Sequence, residues 1–384
     1  MIYFDQAASS FPKPVEVTDA MVHVMNTTAA NPGRGGHKLA REAANIVADT
    51  RERAAQIFGC SNPNHVIFFS NATVALNQAI KGIDWDEGDQ VITTSIEHNS
   101  MRRPLEYINN RYGVDVVYVK WNDDEEQFVT DIEKKITSRT KMLAITHASN
   151  VTGSVIPLYR LLRIAKRRDI LTVVDASQTA GHLPIDMQKQ GIDMLAFPGH
   201  KGLLGPQGTG LLLIEGDIDV HPIHHGGTGS FSELKHQPEH WPERLESGTL
   251  NTPGIAGLNA ALKVYEQRES DNVSRETFLT NKLLSRLNTI DGVTCYGPGE
   301  SKQRLPIVAF NIAHVPSQEV AMILDSHYHI AVRAGLHCNP LAHETLHTIE
   351  QGVIRASLSR YNTEEEVITF IHAIEEIAQA YRGL

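Results

Sequence analysis

The stretch LTVVDASQTAGHLPIDMQKQGIDMLAFPGHKGLLGPQGTGLLLI, Leu171–Ile214, decides the fold. It holds three short apolar runs, Thr172–Asp175, Met194–Phe197 and Leu211–Ile214, each bounded by turn-forming residues. Apolar runs without polar alternation read as strands buried on both faces. The glycines of Gly199–Gly210 precede a strand rather than open a helix, which excludes a dinucleotide fingerprint. Lys201 is followed by Gly202 and not by Ser or Thr, which excludes a P-loop.

Upstream, Val66–Ser70, Val91–Ser95, Val116–Val119 and Met142–Thr146 have the same strand-like character. Helical spacing lies between them, as at Ala40, Ala43, Val47, Ala54 and Phe58, and at Leu158, Leu161, Leu162 and Ala165. This alternation predicts an α/β fold with a mostly parallel sheet. Val220–Pro253, dense in His, Gly, Pro and Ser, reads as surface loop. Beyond it helical patterns dominate, broken by strand-like runs at Pro306–Asn311 and His329–Val332. Thr363 and Glu366 form a capping-box pattern before the stripe Val367, Phe370, Ile371, Ile374, Ala378 and Tyr381. The expected division is a large domain over 16–254 and a smaller α+β domain formed by 1–15 and 255–384.

The chain has 384 residues and a formal net charge of −10, from 35 Lys+Arg against 45 Asp+Glu. That balance argues against nucleic acid as a partner. No apolar run reaches the roughly 18 residues of a membrane span, and the start lacks the pattern of a secretory signal. The three cysteines, Cys60, Cys295 and Cys338, are too few for a disulfide framework, so a reducing, cytoplasmic location is expected.

Ligands of α/β sheets bind beyond the carboxyl ends of the strands, so polar residues after the apolar runs come first. They are Ser70–Thr73, Glu97–Asn99, His147–Asn150, Asp175–Gln178 and Gly199–Lys201. Most lysines are solvated, but Lys201, just past a buried strand, is poised for desolvation and Schiff-base chemistry. A carboxylate such as Asp175 is often a cap or ion-pair member; facing a pyridinium nitrogen, it would keep that nitrogen protonated. Thr73 is either a helix cap or, at a helix N-terminus, part of a phosphate site. Cys338, in the loop-like VRAGLHCNPLAH, is flanked by Arg333 and His337, cationic neighbours that favour a thiolate over the ordinary reading of a small core residue. Arg355 is either a surface residue or a two-pronged carboxylate clamp.

In family order, YFDQAASSFPKP (Tyr3–Pro14), VVDASQTAGHLPID (Val173–Asp186), FPGHKGLLGPQGTG (Phe197–Gly210), ESGTLNTPGIAGL (Glu246–Leu258), RAGLHCNPL (Arg333–Leu341) and RASLSRYNTEEEV (Arg355–Val367) span the whole chain. In these motifs it resembles the class V aminotransferase-fold cysteine desulfurases of the SufS-like and selenocysteine-lyase-like branch. The resemblance implies an aspartate-aminotransferase-like PLP-dependent transferase fold and the cofactor pyridoxal 5′-phosphate. It further implies Lys201 as the Schiff-base lysine, Asp175 at the pyridinium, Gln178 at the phenolic oxygen and His98 stacked on the ring as a proton carrier. Ala72, Thr73 and His200 would bind the phosphate, with Thr249 from a second subunit of a homodimer. Asn150, Arg355 and Arg333 would hold the substrate carboxylate. Cys338 would take sulfur from L-cysteine, or selenium from L-selenocysteine, leaving L-alanine and a persulfide bound for a sulfur-acceptor protein. The chain departs from the family pattern at Pro198 in place of a serine, at Asn71-Ala72 in place of Gly-Thr, at Val74 in place of an acidic residue and at Leu336 in place of a histidine. The departures at Pro198 and Asn71-Ala72 predict fewer hydroxyl contacts to the phosphate, and Leu336 implies a divergent branch whose acceptor or substrate differs.

Three alternatives compete; one, a non-catalytic scaffold on the same fold, predicts loss of Lys201, Asp175 or Cys338, and all three are present. Another class V enzyme, an aminotransferase or epimerase, would have no use for Cys338. A metal-dependent hydrolase is prompted by His221, His224, His225, His236 and His240, but no His-Glu-x-x-His pattern occurs, and a polar rim near the active site is the expected role.

Overall fold

The computed structural model describes residues 1–33, 35–267 and 270–382, with residues 270–274 described for the backbone alone. The first part runs β1 (Ile2–Tyr3), α1 (Val15–Thr27), α2 (Lys38–Phe58), β2 (Val66–Phe69), α3 (Ala72–Lys81), β3 (Gln90–Thr94), α4 (Asn99–Tyr112), β4 (Asp115–Val119), α5 (Glu125–Lys135), β5 (Thr140–Thr146), α6 (Leu158–Arg167), β6 (Leu171–Asp175), α7 (Met187–Gln190), β7 (Met194–Pro198) and β8 (Gly210–Ile214). The second part adds α8 (Thr252–Glu266), α9 (Ser270–Leu287), β9 (Val293–Tyr296), β10 (Ile307–Ile312), α10 (Ser317–Tyr328), β11 (Ile330–Ala331), β12 (Arg333–Gly335), α11 (Pro340–Leu346), β13 (Val353–Ser357) and α12 (Glu364–Tyr381).

Seven strands form the large sheet in the order β2-β8-β7-β6-β5-β3-β4, in which β8 alone runs antiparallel to its neighbours. The expected, mostly parallel sheet is therefore present. Successive side chains of a strand point to opposite faces, so β7 and β8 feed two cores. Leu195, Phe197, Leu211 and Leu213 pack with Phe58 of α2 on one face. Met194, Ala196, Leu212 and Ile214 pack with Leu76 of α3 and Met101 of α4 on the other. A strand buried on both faces has no place for polar alternation, which is why these runs read as continuous apolar sequence.

The small sheet, β12-β13-β10-β9, is antiparallel throughout. Helix α12 covers it with Val367, Phe370, Ile371 and Ile374, and Phe370 meets Phe4 edge-on at 5.3 Å. The capping box opens this helix: Glu366 N–H donates to Thr363 Oγ1 at 3.2 Å and Thr363 N–H to Glu366 Oε2 at 3.0 Å. The N-terminal strand β1 pairs in parallel with β11, carrying Phe4 into the small sheet's core.

Helix α8 begins at the expected domain boundary but packs on α1 and α2. Its Ile255, Leu258 and Leu262 join the core that contains Phe58 and Phe197, so the large sheet's core extends beyond residue 254. The sequence reading stopped at the end of a loop, whereas the apolar face of the following helix decides which core it joins. Leu258→Ala should therefore cost about 2–5 kcal/mol. Hydrogen exchange should show lost protection in β7 with β10 little changed.

Candidate active site

The carboxyl ends of β2, β3, β5, β6 and β7 converge on one edge of the large sheet, and a cavity of about 270 Å³ lies there. Ala72, Thr73, His98, Asn150, Asp175, Gln178, His200, Lys201, Arg333, Cys338 and Arg355 all line it. Thr249 does not. It is exposed and lines two other clefts, of about 430 and 360 Å³.

Asp175 ends β6 and Lys201 follows β7, the adjacent parallel strand. A close backbone approach holds the two loops together. A Cβ on Gly181, whose φ is +94°, would lie 2.2 Å from the Gly202 carbonyl carbon, and one on Gly202 would lie 2.6 Å from Ala180 O. Only glycine at both places lets the two loops touch. Asp175 is buried and accepts from Ser177 N–H at 2.9 Å. Burial pushes the Lys201 amine down to about 8; Asp175 opposes this, while Arg355 and Arg333 reinforce it.

Helix α3 begins beside the cavity. Asn71 Oδ1 accepts from Val74 N–H at 3.0 Å and so caps the helix, leaving the first-turn N–H groups of Ala72 and Thr73 with no partner inside the helix. The asparagine that departs from the family pattern thus serves as the N-cap of a positive helix end. His200 on the same wall has a buried Nδ1 with no partner among the described residues, and burial lowers its pKa to about 4.

His98 caps α4. Its Nδ1 accepts from Ser100 N–H at 3.1 Å, so the proton of the neutral ring belongs on Nε2. Burial, then the Lys201 charge, lowers its pKa to about 4. The preceding residue, Glu97, is fully buried, and its Oε1 accepts from Thr94 Oγ1 at 2.6 Å and Thr146 N–H at 2.9 Å. Burial pushes Glu97 up to about 8 despite these hydrogen bonds, so at neutral pH it is mostly a neutral acid. The sequence placed Glu97 after a strand without giving it a role.

The small sheet supplies the other wall. Arg333 of β12 and Arg355 of β13 stand directly opposite each other. Arg355 is fully buried; it donates to Asn150 O at 2.8 Å and to Asp5 Oδ1 at 2.9 Å, and its Nε has no partner among the described residues. Asn150 Nδ2 donates to His337 O at 2.8 Å, and its Oδ1 accepts from Asn339 Nδ2 at 3.0 Å. Asn339, which sequence reasoning passed over, is completely buried and also bonds Ile96 O at 2.8 Å, orienting Asn150.

Cys338 is exposed on the loop between β12 and α11. Asn99 N–H donates to its carbonyl at 2.8 Å. His337 and Cys338 both have positive φ, 48° and 56°, a conformation that non-glycine residues rarely adopt and that clusters at functional sites. His337 is not the cation its place beside Cys338 suggested: burial drives its pKa to about 2, and its Nε2–H donates to Val353 O at 3.1 Å. Cys60 and Cys295 are shielded, and burial pushes both thiols up to about 11.

The histidines of 221–240 do not rim this cavity. His221 pairs with Asp84 at 3.2 Å and His240 stacks on Phe231 at 4.9 Å. Among the described residues no group of three or more His, Cys, Asp or Glu side chains is arranged to hold a metal ion.

The donor set fits pyridoxal 5′-phosphate. Among the described residues it offers a lysine amine without an ion-pair partner, a carboxylate on the adjacent strand, free N–H groups at a helix start and an unpartnered imidazole nitrogen. A mostly parallel sheet with these groups on its carboxyl edge defines an aminotransferase-type α/β enzyme. Residues 2–370 match the family model described as aminotransferase class-V. The chain is 35% identical to a probable cysteine desulfurase of Methanothermobacter thermautotrophicus, over 98% of this chain and 94% of that protein. The apo structure of a cysteine desulfurase from Thermococcus onnurineus, 32% identical, matches with a TM-score of 0.92 over 99% of this chain and 95% of that one. A cysteine desulfurase from Escherichia coli in an S-sulfonic acid form, 27% identical, matches with a TM-score of 0.86 over 98% of this chain and 94% of that one. The chain belongs to the class V aminotransferase family and, within it, to the cysteine desulfurases.

A lysine with a pKa near 8 is about one-tenth unprotonated at pH 7 and mostly unprotonated at pH 9. The rate at which apoprotein and pyridoxal 5′-phosphate form the visible chromophore should rise roughly fivefold from pH 7 to pH 8 and level off above pH 9. A stopped-flow rate that keeps climbing to pH 10 would contradict this assignment.

Proposed function

We propose that this chain is a pyridoxal 5′-phosphate-dependent cysteine desulfurase that passes the sulfur of L-cysteine to Cys338 and releases L-alanine. The observation that carries the reading is an exposed thiol on a strained loop facing the same cavity as a desolvated lysine and a buried arginine. Transamination leaves such a thiol without a task.

The bound cofactor supplies an electron sink that weakens the bonds at the substrate's Cα. Lys201 would hold it covalently, and Asp175 would keep its ring nitrogen protonated. The N-terminus of α3, with Thr73 and His200, would take the phosphate. Arg355, Arg333 and the free amide hydrogen of Asn150 would bind the amino-acid carboxylate, so that Cα lies over Lys201. The Lys201 amine, released when the substrate's amino group takes its place, would remove the Cα proton. Cys338 Sγ would then attack the substrate's sulfur. The C–S bond breaks with its electron pair passing to carbon, an S–S bond forms, one proton is delivered to Cβ and one is returned to Cα, and the products are alanine and a Cys338 persulfide. Neutral His98, its proton on Nε2, would act as a hydrogen-bond donor on the ring's face rather than as a cation.

The enzyme would work as a homodimer, in which Thr249 completes the phosphate site of the other copy. Its exposure, away from its own chain's Lys201, supports that reading. The persulfide would go to a sulfur-acceptor protein. No helix among the described residues is long and apolar enough to cross a membrane. An exposed reactive thiol suits the reducing cytoplasm.

Cys338→Ala should lower alanine and sulfide release from L-cysteine by roughly two orders of magnitude or more while keeping the borohydride-sensitive chromophore. Full activity in that variant would overturn the persulfide route. Thr249→Ala should leave a dimer by sedimentation but speed cofactor loss on dialysis, and a fully active monomer would refute the shared site.

A further inference from the structure

One nine-residue segment, Asp5–Lys13, touches three walls of the cavity. At one end Asp5 Oδ1 receives Arg355 at 2.9 Å, and Ala7 N–H donates to Ser357 Oγ at 2.9 Å. In the middle Ala7 and Ala8 line the cavity, and Ala7 O accepts from Gln178 Nε2 at 3.1 Å. At the other end the carbonyl of His200, in the peptide that leads into Lys201, accepts three hydrogen bonds. They come from Ser10 N–H at 2.9 Å, Ser10 Oγ at 3.0 Å and Lys13 Nζ at 3.2 Å.

A carbonyl oxygen has two lone pairs, so three donors, one of them charged, hold it unusually firmly. Lys13 Nζ also donates to Ser10 Oγ at 2.7 Å, and no carboxylate pairs with it among the described residues. Most lysines extend into water, yet this one is partly buried against a peptide oxygen, and burial lowers its pKa to about 8. The segment is braced within itself. The Gln6 side chain bonds both Phe11 N–H, at 2.9 Å, and Phe11 O, at 2.6 Å, while Tyr3 Oη donates to Ser9 O at 2.8 Å.

We propose that Asp5–Lys13 is a splint that keeps the substrate-carboxylate arginine in register with the Schiff-base lysine, and that Lys13 is the positioning residue for Lys201. This rests on the proposed roles of Lys201 and Arg355. Loss of the Lys13 cation frees the His200–Lys201 peptide to rotate and misplaces the amine relative to Cα, without touching the carboxylate clamp. Loss of Asp5 does the reverse, because among the described residues Arg355 then keeps only Asn150 O as a fixed partner.

The test uses holoenzyme carrying Lys13→Met, Lys13→Arg, Ser10→Ala or Asp5→Asn, followed by steady-state kinetics with L-cysteine and by pH titration of the visible absorbance. Lys13→Met should lower kcat about tenfold with KM within about twofold, since a small misplacement of a reacting group is costly. It should also move the midpoint of the absorbance titration, and Lys13→Arg should restore both. Ser10→Ala should shift the same two readouts in the same direction, which keeps the test available if Lys13→Met folds poorly. Asp5→Asn should raise KM and leave the titration midpoint in place. The splint is refuted if Lys13→Met and Ser10→Ala keep both kcat and the midpoint, or if their only effect is on KM. If the wild type yields no alanine but the midpoint still moves in Lys13→Met, the splint stands and the desulfurase reading falls.

Discussion

An amine held in a cavity away from water, with no carboxylate bonded to it, is costly to keep protonated. Among the described residues Lys201 is in that condition, and much of the surrounding structure serves to maintain it. Burial is the first cause; Asp175 on the adjacent strand opposes it, and two arginines on the opposite wall reinforce it. The neighbouring imidazoles respond to the same field. His98, His200 and His337 are all driven toward their neutral forms, with burial as the first cause in each. The cavity thus favours neutral bases over solvated cations, as a site that must move a proton from carbon requires.

Two sheets of different construction share the site. The parallel sheet contributes strand ends, which are rigid because both faces of each strand are buried, and it sets the spacing of Asp175 and Lys201 through adjacent β6 and β7. The antiparallel sheet contributes Arg333 and Arg355 as a directly opposed pair, with Cys338 three residues past the end of β12. Buried amides join the halves: Asn150 from the large sheet is bonded to His337 O and Asn339 from the Cys338 loop. The loop that carries the thiol is therefore anchored by hydrogen bonds near its base, while Cys338 itself stays exposed.

Much of this was legible in the chain. Residues such as Asp175, Lys201 and His98 follow apolar runs, and strand ends are where such sheets bind ligands, so position in sequence predicted position in space. Glu97 and Asn339 were not legible as contributors, because their importance lies in hydrogen bonds to Thr146 and Ile96 that only packing creates. The charge assigned to His337 failed for a related reason. Sequence adjacency to Cys338 says nothing about whether the ring faces water or, as here, the carbonyl of Val353. Helix α8 shows the same limit at larger scale, since its apolar stripe could satisfy either core.

By itself the sequence determined the strand and helix periodicities, the mostly parallel sheet they build, and the chemical types gathered at its edge. Those are local properties, set by side-chain alternation and by what each residue can donate or accept. Only the tertiary structure decided which histidines are neutral, that Asp5 and Arg355 pair across 350 residues of chain, and that Thr249 is exposed outside the cavity of its own chain's lysine. Burial and long-range contact set these, and both depend on which surfaces meet when the chain closes.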